Sequence, residues 1–303
     1  MTMSVYSQVS ANKNRTYLIF GLFIFLVTGF FYLVGIYTQS SASYFVMGLA
    51  FSLISTAGSY FFSDKIVLYT VGAKPATKQE HFDFYTVAEN LSIAAGLPMP
   101  KLYVIDDASL NAFATGRDPK HAVVCVTTGL LSRLERSELE GVVAHELSHI
   151  KNYDILLASI VSVLVGTLAL VSDLIMRNMW WSGLKGRDDD NRGSGGNPLF
   201  FVFMIFVFII TPITATLIQL AISRKREFLA DADGALLNRY PEGLAKALEK
   251  ISQDSQPLAS ATTSTAHLFI SNPFKKSRSK NWLLGLFSTH PPVSERIRIL
   301  RSM

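Results

Sequence analysis

Long stretches without a charged residue alternate with polar ones along this chain. No Asp, Glu, Lys or Arg occurs across residues 17–37, enough for a helix to cross a hydrocarbon core of roughly 30 Å. A short uncharged turn, residues 38–43, leads into a second apolar run, 44–62, closed by Asp64 and Lys65. The third, 155–176, carries only Asp173 near its far end, and the fourth, 199–222, contains Pro212, where a kink is expected. The first run lacks a clear small-residue cleavage site, so a retained anchor is expected rather than a signal peptide. A core-helix hairpin is the alternative for the third and fourth runs, but more than 20 residues each with almost no charge favours spanning. The pattern predicts two transmembrane hairpins. Residues 177–198, rich in Gly, Asp, Asn, Arg and Ser, read as an exposed loop.

Between the hairpins the periodicity changes. Residues 77–95 place Phe82, Tyr85, Ala88, Leu91 and Ala95 on one helical face that stops at Gly96. Residues 101–105, 111–115 and 121–127 read as strands separated by turn residues. Ser137-Glu138-Leu139-Glu140 fits the S-x-x-E capping box and predicts the start of another helix. Beyond the fourth run, residues 242–251 suggest a short helix, 255–265 a loop and 267–270 a strand. A turn at His290-Pro291-Pro292 leads into a last amphipathic helix.

Composition sharpens the picture. Hydrophobic residues make up 49% and charged residues 17% of the chain, with 21 Phe and a mean hydropathy of +0.30, a membrane protein's balance. The net charge of +5 could suggest nucleic acid. The basic residues gather beside apolar runs rather than in an aromatic-interleaved patch, so no nucleic-acid partner is expected and the lipid bilayer is. Lys13, Arg15, Lys65, Lys151 and Arg224-Lys225-Arg226 fall on one side of the four-span layout. Only Arg177, Lys185, Arg187 and Arg192 fall on the other. Both termini and the polar segments are therefore expected in the cytoplasm. The single cysteine, Cys125, excludes an internal disulfide and sits in an apolar run as a core residue.

The chemistry centres on His145-Glu146-Leu147-Ser148-His149. Positions four apart lie on one helix face, so both imidazoles can reach one zinc ion, while Glu146 can hold a water beside it. The pattern marks metal-dependent peptide hydrolysis. A catalytic zinc takes a third protein ligand, and Glu227 is the candidate. Its segment continues the fourth run as the HExxH helix continues into the third. If those spans pack together, His149 and Glu227 stand about 9 and about 7 Å from the membrane edge. Asp231, one turn on, can fix the tautomer of a ligand imidazole.

These motifs, with Asn111-Ala112-Phe113-Ala114-Thr115-Gly116 and Ser223-Arg224-Lys225-Arg226-Glu227-Phe228-Leu229-Ala230-Asp231, resemble the HtpX family over nearly the whole chain. These are membrane zinc endopeptidases related to the CAAX prenyl endopeptidases. The resemblance implies a mainly α fold with a small β-sheet, four transmembrane helices and a cytoplasmic zincin-type (gluzincin) domain. The expected organisation is a tail and first hairpin (1–62), the first catalytic part (63–154), a second hairpin (155–222) and the last catalytic part (223–303). It implies one zinc on His145, His149 and Glu227, Glu146 as base and Asp231 as their partner. It also implies a substrate-binding edge strand at Asn111, Ala112 and Phe113, and His290 and Arg296 near the scissile carbonyl. Arg296 capping the last helix and His290 as a turn residue remain the structural alternatives. The implied function is cleavage of damaged or misfolded membrane proteins, a stress-linked quality-control role at the inner membrane. A prenyl-protein endopeptidase and a non-enzymatic membrane scaffold are the rivals.

Overall fold

The structure, a computed structural model, describes residues 5–185, 223–274 and 291–303. In chain order the elements are α1 (Val5–Tyr37), α2 (Ser41–Thr70), β1 (Lys74–Pro75), α3 (Phe82–Ala95), β2 (Lys101–Ile105), β3 (Ala112–Gly116), β4 (Ala122–Thr127), α4 (Thr128–Arg133), α5 (Arg136–Lys151), α6 (Asp154–Lys185), α7 (Arg224–Asn238), α8 (Pro241–Gln253) and α9 (Val293–Leu300). Among the described residues, three helices are long and apolar enough to cross a membrane, over Val9–Ile36, Ser41–Thr70 and Asp154–Asp173. The fourth expected span, 199–222, lies outside the described residues, as does His290.

The long helices overrun the apolar runs that predicted them. Helix α1 already includes the polar residues from Val5 onward, with Asn12 and Thr16 buried. Helix α6 continues to Lys185, so residues 177–185 are helical where a loop was expected. An Asp173–Arg177 ion pair at 2.9 Å, spaced i,i+4, supports that extension. Ile19, Phe23 and Val27 of α1 join Leu157, Ile160 and Leu164 of α6 in one apolar cluster.

The sheet has the order β1-β2-β4-β3, with β2 and β4 parallel and the other two pairings antiparallel. Alternation divides its two faces. Ala112, Ala114, Val124 and Val126 join the core built on α3, α5 and α8. Phe113, Val123 and Cys125 join the end of α2 and Phe269. Burial pushes the Cys125 thiol pKa up, with the Glu146 charge adding to it. Strand β3 is thus an edge strand held between the soluble core and the membrane helices.

Several local expectations shift. Helix α3 starts at Phe82 after a turn in which Thr77 Oγ1 accepts from Glu80 N at 3.3 Å. It buries Phe84, Val87, Ala88 and Leu91 and leaves Phe82 59% exposed, because helix α5 packs on a face rotated from the expected one. Helix α5 starts at Arg136, and Glu138 rather than Glu140 closes its first turn by accepting from Glu135 N at 2.7 Å. Lys250 Nζ, 2.7 Å from Glu138 Oε2, ties this turn to α8. Residues 267–270 form no strand. A 3-10 turn spans Ala266–Leu268, and Ile270 N then donates to Ala112 O at 2.9 Å.

Helix α5 does not run straight into α6. The helices break at Asn152 and Tyr153, the latter in the left-handed region at φ +60°. The Asn152 carbonyl accepts from Asn12 Nδ2 at 2.9 Å, which satisfies a group left open by the break.

Helices α5 and α8 pack at backbone contact, and a Cβ on Gly141 would lie 2.5 Å from Leu244 N. The substitution Gly141→Ala should destabilise the soluble domain by about 1–3 kcal/mol through overpacking. A thermal melt of detergent-solubilised protein at the wild-type midpoint would show that the helices can part freely here.

Candidate metal centre

Helix α5 presents His145 and His149 one turn apart, with ring centroids 4.7 Å apart and planes nearly perpendicular. Their Nε2 atoms lie 3.2 Å from one another. Glu227, in the first turn of α7, brings carboxylate oxygens 3.8 Å from His145 Nε2 and 3.6 Å from His149 Nε2. Helix α7 can come this close because it crosses α5 at Gly234, where a Cβ would sit 3.0 Å from His145 N. One ligand atom from each of the three residues lies within 4.8 Å of the others. They border a cavity of about 50 Å³, room for a few atoms or waters.

The far side of each ring is held by a carboxylate. His149 Nδ1 lies 2.9 Å from Asp154 Oδ2. His145 Nδ1 lies 3.0 Å from Asp231 Oδ1, with the carboxylate off the line of the ring N–H. Both Nδ1 atoms therefore carry hydrogen, and the lone pairs of neutral rings would meet at Nε2. That meeting is repulsive unless a proton or a metal lies between them. Two nitrogens bound 2.0–2.1 Å from one tetrahedral zinc stand about 3.3 Å apart, close to the spacing seen. The charges agree as well. Around the histidines, the guanidinium groups of Arg226 and Arg296 face four buried carboxylates, Glu146, Asp154, Glu227 and Asp231. Fully ionised, these leave two negative charges, which a divalent cation balances. The residues fit zinc.

Without metal the two histidines differ. Burial lowers the pKa of His145, partly opposed by Asp231. Burial also acts to lower that of His149, but the hydrogen bond to Asp154 and the charges of Glu227, Asp154 and Glu146 outweigh it and raise it to about 9. Glu146 is pushed up to about 7, first by burial; the His149 and Arg296 charges and a backbone hydrogen bond from Ala114 act against this.

Asp231 and Arg296 form a pair inside the protein. Arg296, 0% exposed, donates from Nε to Asp231 Oδ2 at 2.8 Å and from Nη2 to Oδ1 at 2.7 Å. Burial opposes ionisation of Asp231, but Arg296 outweighs it and holds the carboxyl down at about 2. Arg296 Nη1 stands 3.7 Å from Glu227 Oε2. Its side chain therefore holds two acidic residues of the centre and does not simply cap α9. Asn111, Ala112 and Phe113 are buried beside the centre rather than opening onto it. Asn111 Nδ2 donates to Ser271 O at 3.0 Å, and Phe113 packs edge-on against Phe269 at 5.0 Å. Ala114 is the β3 residue that reaches the cavity.

Asp154, Arg226 and Asn12 escaped the sequence reading as parts of this centre. Asp154 carried one signal, a carboxylate five residues after His149 at the edge of an apolar run. Asn12 carried none beyond its place before the first span.

Zinc must displace the proton held on His149. Between pH 6.5 and 8, the apparent zinc affinity of metal-free protein should rise about tenfold per pH unit. A chelator competition giving the same affinity at both ends of that range would contradict the assignment.

Residues 79–303 match the profile of Peptidase family M48. A Protease HtpX homolog from Tropheryma whipplei is 45% identical over 299 residues, which cover 99% of this chain and 98% of that protein. Another, from Thermoanaerobacter pseudethanolicus, is 43% identical over 303 residues, with 99% and 98% covered. Among solved structures, S. mikatae Ste24p is similar at a TM-score of 0.49 and 19% identity, the match covering 94% of this chain and 65% of that one. The chain belongs to peptidase family M48, as an HtpX-type membrane metallopeptidase whose zinc site is His145, His149 and Glu227.

Proposed function

We propose that this endopeptidase cleaves damaged or misassembled membrane proteins as part of stress-linked quality control, working at the cytoplasmic face of the inner membrane. The observation that carries this reading is the His149–Asp154 hydrogen bond of 2.9 Å. It joins a zinc ligand to the first residue of a candidate membrane span, Asp154–Asp173. A site tied to that boundary meets polypeptide where it leaves the bilayer. The basic residues flanking the apolar runs support a cytoplasmic orientation.

When bound, zinc supplies a Lewis acid that lowers the pKa of water and polarises a peptide carbonyl. Glu146 takes the proton from the attacking water and delivers it to the departing amine, so its carboxylate accepts and then donates. A pKa near neutrality, about 7 in the metal-free pocket, suits both steps. Asp231 and Asp154, behind the Nδ1 atoms of His145 and His149, leave the Nε2 atoms facing each other and Glu227, where they would hold the ion. Arg296 positions Asp231 and Glu227 from inside the protein, which favours a supporting role over contact with substrate. His290 retains the proposed role of donor to the developing oxyanion.

An extended substrate is expected along β3, held mainly through its backbone. At present the Ala112 carbonyl is bonded to Ile270 N at 2.9 Å, and the amide of Gly116 donates to Ser159 Oγ at 3.1 Å. A peptide reaching back to Asn111, Ala112 and Phe113 must displace residues near Ile270. Main-chain recognition of this kind selects exposed, unfolded chain more than a particular sequence.

Glu146→Gln protein should keep its zinc and lose cleavage of an unfolded membrane protein by about 100-fold or more. Zinc content and product formation are measured on the same detergent-purified sample. Full retained activity would remove Glu146 from the mechanism, and preferential cleavage of a lipidated CAAX peptide would move the substrate class to prenyl proteins.

A further inference from the structure

The zinc site has a support outside the peptidase domain. Asn12 lies in the early turns of α1, ahead of the first apolar run, yet it is only 2% exposed. Its side-chain amide donates to Asp154 Oδ1 at 2.7 Å and to the Asn152 carbonyl at 2.9 Å. Its own oxygen accepts from Arg226 Nη1 at 3.0 Å. Arg226, next to the ligand Glu227, also places Nε 3.4 Å from Asp154 Oδ1. Asp154 thus has its Oδ1 held by Asn12 and Arg226 and its Oδ2 turned to His149.

We infer that Asn12 is a positioning residue for the zinc centre, and that docking of the first membrane helix completes the site. An amide suits this position because it gives and receives at once. Its NH₂ group serves Asp154 and the broken backbone at Asn152, while its oxygen takes one guanidinium hydrogen. No hydrocarbon side chain can do either. A carboxylate here would satisfy Arg226 but face Asp154 with like charge. With Asn12 absent, Asp154 is free to swing toward Arg226, and the His149 ring loses its fixed orientation. A carboxylate that holds a ligand ring, as Asp154 holds His149, is worth about 10- to 100-fold in metal affinity, and Asn12, one contact further out, commands a part of that.

The inference rests on the zinc site of His145, His149 and Glu227, and its test separates the two. Zinc dissociation constants are measured by chelator competition on full-length wild type, Asn12→Ala, Asn12→Asp and Thr28→Val, together with visible spectra of the cobalt-substituted proteins. Thr28 is the control. It is a second buried polar residue of α1, 3.3 Å from Ser52 Oγ, and touches nothing in the centre. Asn12→Ala should bind zinc more weakly, by up to about 10-fold, the low end of what a direct ligand partner is worth, and alter the cobalt spectrum. Asn12→Asp should do no better, although it keeps the size and the bond to Arg226. Thr28→Val should leave both readouts at wild-type values even where its melting temperature falls. Zinc binding and spectra in Asn12→Ala equal to those of Thr28→Val would overturn the inference while leaving the site standing. Failure of the wild-type protein to bind zinc would overturn both.

Discussion

Two imidazole nitrogens 3.2 Å apart, each with its ring hydrogen turned away, form a contact that favours a cation. Much of the surrounding structure keeps them facing. Asp231 and Asp154 hold the rings from behind, and each of these carboxylates needs its own counter-ion to remain charged inside protein. Arg296 serves Asp231 and Arg226 serves Asp154. An isolated buried charge costs several kcal/mol. Each layer around the nitrogens is therefore required by the one within it, until the network meets backbone at Ile270 and Asn152.

The layers come from distant parts of the chain. Histidines from α5, acids from α7 and the start of α6, an arginine from α9 and an amide from α1 meet around one small cavity. This explains why the peptidase cannot be divided cleanly into a membrane part and a soluble part. The apolar cluster joining α1 to α6 brings Asn12 to Asp154. The close crossing of α7 over α5 at Gly234 brings Glu227 to the histidines. Packing sets the distances, and hydrogen bonds set the orientations.

How much of this could be read beforehand follows from the range of each interaction. The apolar runs and the HExxH spacing are local patterns, and among the described residues they led correctly to the three candidate membrane helices, three of the four strands and two zinc ligands. Glu227 was also found, from the expectation that its segment follows the fourth apolar run, which lies outside the described residues. Helix ends were less legible. Asn12 and Phe84, near the starts of α1 and α3, are buried against partners far away in sequence. Helix α5 instead starts on a local bond from Glu135 N to Glu138, which the distant Lys250 reinforces. Arg296 shows the limit most clearly. Nothing local distinguishes an arginine exposed on a final amphipathic helix from one fully buried against Asp231, 65 residues earlier. Residues 267–270 failed differently. They were expected to form a strand, yet only Ile270 reaches β3 through its amide.

The break after α5 also follows from the metal centre. In an unbroken helix Asp154 would lie five residues beyond His149. At 3.6 residues per turn, that places its side chain about 140° around the axis from the histidine. No hydrogen bond could form between them. The left-handed turn at Tyr153, φ +60°, redirects the chain so that the first carboxylate of α6 comes back to His149 Nδ1. A non-glycine residue in that conformation costs on the order of 1 kcal/mol. Asn12 catches the carbonyl the break exposes, and Lys13 lies over the Tyr153 ring at 4.6 Å. A straight helix would avoid the strain but leave one ligand ring free to turn. The kink that starts the membrane span is therefore also what holds a zinc ligand in place.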